Sequence, residues 1–362
     1  IDSFQFESGR SLPVQVGYET FGTLNAAKDN VVLVAHYFSA NSHCAGKYAE
    51  TDEAAGYWDG LIGPAKAVDT DRYFVISCDN LCNCAAKSPT VHTTGPYTIN
   101  PETGKSYGMD FPVVTILDVV RTQKLLLESL GITHLKAVMG PSAGGIIAYE
   151  WAVQYPDWMD VIIPVIATAQ HPSFTSFLVL QHGIRAAMLD PKWNGGDYYD
   201  KPEQPEESLH LALQIMNVGA HSADFYERTY KRNSADVDCY RDVLAMSSSE
   251  KELYGVVAAR CGVVDLNHWI YTCRMAMNHD VARHFGGDLD AALARIRARV
   301  LAIPCSTDIM HPVSFNRRIV DRITWLGGSA EMYVIDSDMG HMAGILQTHL
   351  FDCKVKDFLL RY

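Results

Sequence analysis

Five residues, Gly140-Pro141-Ser142-Ala143-Gly144, constrain the chain most. They join an apolar run, Leu135-Lys136-Ala137-Val138-Met139, to Gly145-Ile146-Ile147-Ala148-Tyr149-Glu150-Trp151-Ala152, which reads as a helix until Pro156. A strand that turns sharply into a helix lifts a serine oxygen clear of the backbone, and small flanking residues let the chain pass close to its neighbours. The Gly-x-Ser-x-Gly pattern is weak by itself. A strand before it and a helix after it give it a mechanical meaning, and make Ser142 the candidate nucleophile.

The rest of the chain supplies a frame for such a turn. Apolar runs at 14–18, 31–36, 73–78, 135–139, 161–167, 300–304 and 331–335 show little alternation, as strands covered on both faces do. Between them the spacing predicts helices. The clearest covers 115–130, where Ile116, Val119, Val120, Thr122, Leu126 and Leu127 share one side and Gly131 serves as the C-cap. Strands alternating with helices predict an α/β fold with a mostly parallel sheet. The rhythm breaks after Ala169. Helices are expected at 174–189, 209–219, 251–261, 269–285 and 289–299, with Pro191 stopping the first of them. The sheet domain is therefore placed at 1–169 and 300–362, with 170–299 inserted as a helical lid.

Composition removes several classes of function. With 42 acidic against 30 basic residues the net charge is -12, which disfavours nucleic acid and anionic membranes as partners. No run of about 18–20 apolar residues is present, so no membrane span is expected. The polar start, Ile1-Asp2-Ser3-Phe4, lacks a signal pattern, and nine cysteines suit a reducing compartment, so a cytoplasmic location is expected. Cys82 and Cys84, even with His92, match no standard metal spacing and read as buried or pocket-lining thiols. No metal, nucleotide or flavin motif stands out, and no cofactor is expected.

A serine hydroxyl needs a base, and the base needs a carboxylate to hold its tautomer. His341 lies in the loop after 331–335, preceded by Gly340; Asp308 lies just beyond 300–304. The order serine, acid, histidine fits strand-end placement. Asp336 and Asp338 are nearer His341 in sequence and read as loop-shaping residues. The oxyanion requires fixed donors. One is expected from the Ala143 N–H, the other from the 36–39 loop, at Phe38 or alternatively Tyr37. His36 reads as a structural residue of that loop.

These residues, together with Tyr57-Trp58-Asp59-Gly60-Leu61-Ile62-Gly63-Pro64, Asp110-Phe111-Pro112-Val113-Val114 and Asp190-Pro191-Lys192-Trp193-Asn194-Gly195-Gly196-Asp197, resemble the homoserine O-acetyltransferases of the α/β-hydrolase superfamily over nearly the whole chain. The resemblance implies an α/β-hydrolase fold, a Ser142–Asp308–His341 triad, an acyl-enzyme, a lid over a deep pocket, and a homodimer formed through the lids. The chain also departs from the family. Where the family has an aspartate after the catalytic histidine there is Met342. Its lid arginine falls on Ile184, with Arg185 one residue and about 100° away around the helix. Ala143 replaces a methionine, and Cys82-Asn83-Cys84-Ala85-Ala86-Lys87-Ser88 replaces a glycine-rich stretch. With Tyr37, Ile184, Arg185 and Met342 as the substrate pocket, the loss of charged partners predicts a small neutral substrate. The first expectation is thus a serine esterase acting on short-chain, acetate-like esters. The alternative is acetyl transfer from acetyl-CoA to homoserine or another hydroxyl, with Arg185 as the replacement partner. A non-catalytic binding protein would leave the ordered nucleophile, acid and base unexplained.

Overall fold

The computed structural model describes residues 1–230 and 237–362. Its main sheet has seven strands: β1 (Tyr18–Phe21), β2 (Val31–Ala35), β3 (Phe74–Cys78), β4 (Leu135–Pro141), β5 (Met159–Val165), β6 (Arg299–Ala302) and β7 (Ala330–Met332). The spatial order is β7-β6-β5-β4-β2-β3-β1. Only β1 runs antiparallel to its neighbour; the other pairings are parallel. All five residues of β2 are buried, and β4 and β5 each leave one residue half-buried, as the apolar runs require of strands sandwiched between helices.

Helix α1 (Ile116–Ser129) is fixed at both ends by local chemistry. The Thr115 hydroxyl accepts from the Asp118 N–H at 3.2 Å, and the Asp118 carboxylate accepts from the Thr115 N–H at 3.1 Å. Gly131, at φ +70°, follows the helix. Helix α2 (Ala143–Gln154) is buried on nearly every side, and the Trp151 indole donates to Gln123 of α1 at 2.8 Å. That contact ties the helix behind Ser142 to α1.

Between β5 and β6 lie helices α3 (His182–Leu189), α4 (Glu206–Gly219), α5 (Ala223–Thr229), α6 (Ser248–Cys261) and α7 (Leu266–Met277). They build a core of their own around Leu180, Ile184, Ala187, Leu209, Leu213 and Trp269. Residues 231–236 of the expected lid lie outside the described residues. The mostly parallel sheet, its flanking helices and this helical insertion form the expected α/β-hydrolase fold. Among the described residues no helix is long and apolar enough to cross a membrane.

Several expected elements shift. The first strand is 18–21, not 14–18. It is an edge strand with alternating exposure, so its pattern is weaker than the apolar run before it, which forms no strand and is tied to residues 92–94 by the Val16–Thr93 bridge and by bonds of Gln15 and Gly17. The helix expected at 269–285 ends at Met277 because the following backbone is captured by the segment after β5: His171 N–H donates to the His279 carbonyl, and Gln170 pairs with Asp280. The helix expected at 289–299 ends at Leu293, and 174–189 contains a wide turn at Ser176–Gln181.

Candidate active site

The turn at Ser142 has the strained geometry that the motif predicts. Its φ of +55° is one that L side chains rarely adopt, and such a residue costs about 1–3 kcal/mol. Two backbone bonds hold it there. Ser142 N–H donates to Val165 O at 2.9 Å, and Ser142 O accepts from Ile146 N–H at 3.0 Å. Glycine is required beside it, since a Cβ on Gly140 or Gly144 would strike the carbonyl oxygen of Ala35. The turn therefore sits hard against the end of β2, where the 36–39 loop begins.

Three strand ends bring their side chains together. The Ser142 hydroxyl lies 2.7 Å from His341 Nε2, and His341 Nδ1 lies 2.8 Å from Asp308 Oδ2. All three groups are buried. The second Asp308 oxygen accepts from the N–H groups of Met310 at 2.7 Å and His311 at 3.1 Å, which fixes the carboxylate plane. With Asp308 accepting at Nδ1, the proton sits on that nitrogen and Nε2 is left to take the serine proton. Thr307 couples the two loops, donating to Ser337 O at 2.6 Å and accepting from Gly340 N–H at 3.1 Å. Asp336 and Asp338 do not bond His341. Asp336 accepts from Ser306 at 3.4 Å, and Asp338 pairs with Arg228 of α5 at 2.8 Å.

The backbone around the serine offers anion donors. The N–H groups of Phe38, Tyr37 and Ala143 make no hydrogen bond among the described residues, and all three residues line the cavity beside Ser142. Ala143 also stands at the N-terminus of α2, where unpaired N–H groups and the helix dipole favour negative charge. His36 shapes this loop. Its Nδ1 donates to Tyr37 O at 2.8 Å, and its Nε2 accepts from Asn80 N–H at 3.1 Å. Burial holds its pKa below the usual value, so it stays neutral. The Cys84 thiol donates to Phe38 O at 3.4 Å; burial raises its pKa to about 11. Cys84 thus supports the loop as a neutral thiol.

A cavity of about 310 Å³ opens over Ser142. The insertion contributes Leu213, Met216, Val256 and Val257 to its wall, and the sheet side contributes Ile146, Met310 and Met342. Of the expected pocket residues, Tyr37 and Met342 line it. Ile184 does not: it is 1% exposed and packed inside the insertion's own core. Arg185 is exposed and also off the cavity wall. The helix that carries them turns its packing face toward Trp269 of α7, so neither side chain reaches the serine. Sequence reasoning missed most of the wall, including His171, His221, His311 and Arg260. His311 stacks on His341 at 5.5 Å between ring centroids and donates from Nδ1 to Thr168, whose own hydroxyl donates to Gln170 O. Burial and the neighbouring histidines push His311 well below the usual range, and burial takes His171 to about 4. Both rings are neutral near pH 7. Spacing along α6 could have found Arg260, which shares a helix face with Val256 and Val257, but the helix shows no marked apolar stripe to orient it.

No family model matches the chain. The homoserine O-acetyltransferase of Geotalea uraniireducens is 35% identical over 360 residues, covering 98% of this chain and 93% of that protein. A crystal structure of homoserine O-acetyltransferase from Bacillus anthracis superposes with a TM-score of 0.96 at 50% identity, covering 99% and 95% of the two chains. The structure of esterase E22 is also similar, with a TM-score of 0.94 at 38% identity and coverage of 99% and 98%.

Proposed function

Because the chain belongs to the homoserine O-acetyltransferase family of the α/β-hydrolase superfamily, we propose that it moves an acetyl group from acetyl-CoA to the hydroxyl of homoserine or a close analogue, through an acetyl-Ser142 intermediate. The sheet domain, 1–169 and 300–362, supplies the chemistry; the insertion, 170–299, supplies the acceptor wall. The observation that carries the reading is the Ser142–His341–Asp308 hydrogen-bond chain, set in a cavity walled largely by apolar side chains.

The steps follow from that geometry. Ser142 Oγ attacks the thioester carbonyl and passes its proton to His341 Nε2, while Asp308 steadies the imidazolium. The oxyanion is met by the Ala143 N–H and by Phe38 or Tyr37 N–H. His341 returns the proton to the departing thiolate, which leaves Ser142 acetylated. The acceptor hydroxyl then gives its proton to His341 and attacks the acetyl carbon. Collapse expels Ser142, which recovers the proton. Apolar walls favour this course over hydrolysis by limiting water at the acyl-enzyme. Acetyl-CoA is a co-substrate here and not a resident cofactor.

The expectation of hydrolysis rested on Ile184 and Met342 standing where charged partners belong. Ile184 packs within the insertion, so its apolar character carries no information about the acceptor. Met342 does line the cavity, and no aspartate or glutamate lines it among the described residues. That observation supports hydrolysis as the second reading, as does the likeness to esterase E22. Nine free cysteines support the expected cytoplasmic location. The exposed Tyr240, Val243, Leu244 and Met246 support a second copy docking on the insertion, which sedimentation analysis would test.

The test is to incubate the protein with acetyl-CoA, with and without L-homoserine, and with p-nitrophenyl acetate alone. Thiol release that depends on homoserine and yields O-acetylhomoserine by mass spectrometry is the expected result. Rapid ester hydrolysis with no transfer to homoserine overturns it in favour of the second reading.

A further inference from the structure

Neither the family's pattern nor the serine chemistry accounts for Arg260. It lies in the last turn of α6, one helical turn beyond Val256, on the face that lines the Ser142 cavity. Among the described residues it is the only lysine or arginine on that wall, and no carboxylate faces it there. Its side chain makes no ion pair or hydrogen bond among the described residues. Its charge reaches the oxyanion loop: burial pushes the Tyr37 hydroxyl up, and Arg260 pulls it part of the way back. The same charge acts on Cys84, which touches Phe38. Arg260 therefore stands between the rim of the insertion and the loop that faces the reacting carbonyl.

A guanidinium beside Val256, Val257 and Met216, exposed at the rim and without an ion pair or hydrogen bond among the described residues, is free to meet an incoming anion. Its planar fork matches a carboxylate better than any neutral group does. We propose that Arg260 is the specificity-determining residue of the cavity, pairing with the carboxylate of the acyl acceptor, and that the acceptor's amino group is not required. The identity of the reaction rests on the transferase reading above. Among the described residues no other lysine or arginine lines this wall, burial holds His171, His221 and His311 below the usual histidine range, and Ile184 is inside the insertion core. An acceptor ammonium, in contrast, finds no carboxylate on this wall among the described residues, and only uncharged polar groups such as Asn217 and Ser39 to accept from it. The acceptor class is thus a short ω-hydroxy carboxylate, with or without an α-amino group.

The experiment compares L-homoserine, 4-hydroxybutyrate and L-homoserine amide as acceptors, in the wild type and in Arg260→Gln and Arg260→Lys. The expected result is that the wild type uses the two carboxylates comparably and the amide about 10-fold less well, since Arg260 is exposed at the rim and screened there. Arg260→Gln should raise KM for the carboxylates by about that factor and erase the preference. Arg260→Lys should restore part of it. Unchanged acceptor KM in Arg260→Gln overturns the proposal. A raised KM for acetyl-CoA alone also overturns it and assigns the guanidinium to the donor's phosphates. Should the wild type transfer to none of the acceptors, the transferase reading fails and the residue is tested by hydrolysis of 4-acetoxybenzoate against p-nitrophenyl acetate. Selective loss of the carboxylate-bearing ester in Arg260→Gln then supports its role, and equal rates overturn it.

Discussion

The two walls of the cavity are built in different ways. On the sheet side the three side chains beside one another are tied down: Ser142 by Val165 and Ile146, Asp308 by two N–H groups, His341 by Asp308, and both loops by Thr307. On the insertion side the wall is mostly apolar side chains with one charge, Arg260, that has no ion pair or hydrogen bond among the described residues. Chemistry needs positions fixed to a fraction of an ångström, and strand ends joined by hydrogen bonds give that. Recognition of a substrate needs a group still unsatisfied when the substrate arrives. The contrast predicts that sheet-side changes act on turnover, and insertion-side changes on KM or on stability.

The largest break in that division should come from Ser142→Ala, which removes the proposed nucleophile. The expected loss in kcat is about 10⁴-fold or more for both thioester and p-nitrophenyl acetate, read by steady-state rates. Asp308→Asn should follow, at about 10²- to 10⁴-fold in kcat with little change in KM, because the amide can hold His341 in the wrong tautomer.

Ile184→Ala sharpens the comparison from the other side. The side chain is fully buried in the insertion core, so its truncation should cost about 2–4 kcal/mol, measured by denaturant unfolding. The acceptor preference should not move, because the residue does not reach the cavity. A change in acceptor preference without loss of stability would return Ile184 to the pocket.

The smallest effect concerns Glu150, on α2 behind the serine turn. It is buried beside His279, with Gln154 donating to it at 2.9 Å, and burial raises its pKa from 4.5 to about 7. The folded state therefore holds this proton more tightly than the unfolded chain. The cost is absent below pH 4.5, grows as pH rises toward 7 and is complete above it. Glu150→Gln should stabilise the protein by about 1–3 kcal/mol at pH 8 and make no difference below pH 4.5. Thermal melts at the two pH values check it, and a gain at low pH would contradict the assignment.

Much of the fold was legible because local rules and tertiary packing agree along most of the chain. The runs at 31–36, 135–139 and 161–167 are apolar throughout, and all become central parallel strands. Gly131 follows α1 as expected, at a positive φ that its lack of a side chain permits, while Thr115, expected inside the helix, caps its start with Asp118. Edge and boundary elements were less legible. Tyr18–Phe21 alternates because one face is wet, and Asn278–Asp280 leaves the helical path only because Gln170 and His171 bind it. Those partners lie more than 100 residues away, so no local pattern signals them.

The site divides in the same manner. Ser142, Asp308 and His341 were readable in order because each follows a strand, and parallel strands deliver their carboxyl ends to one edge. Ile184, Arg185 and Arg260 could not be sorted, since each lies on a helix whose facing side is set by which neighbours it packs against. The sequence by itself determined the sheet, the strained serine turn and the side chains at its rim, because strand polarity and backbone sterics are local. Only the tertiary structure decided that Ile184 faces the insertion core and Arg260 faces the serine, because a helix's rotation about its axis is fixed by packing and not by its own residues.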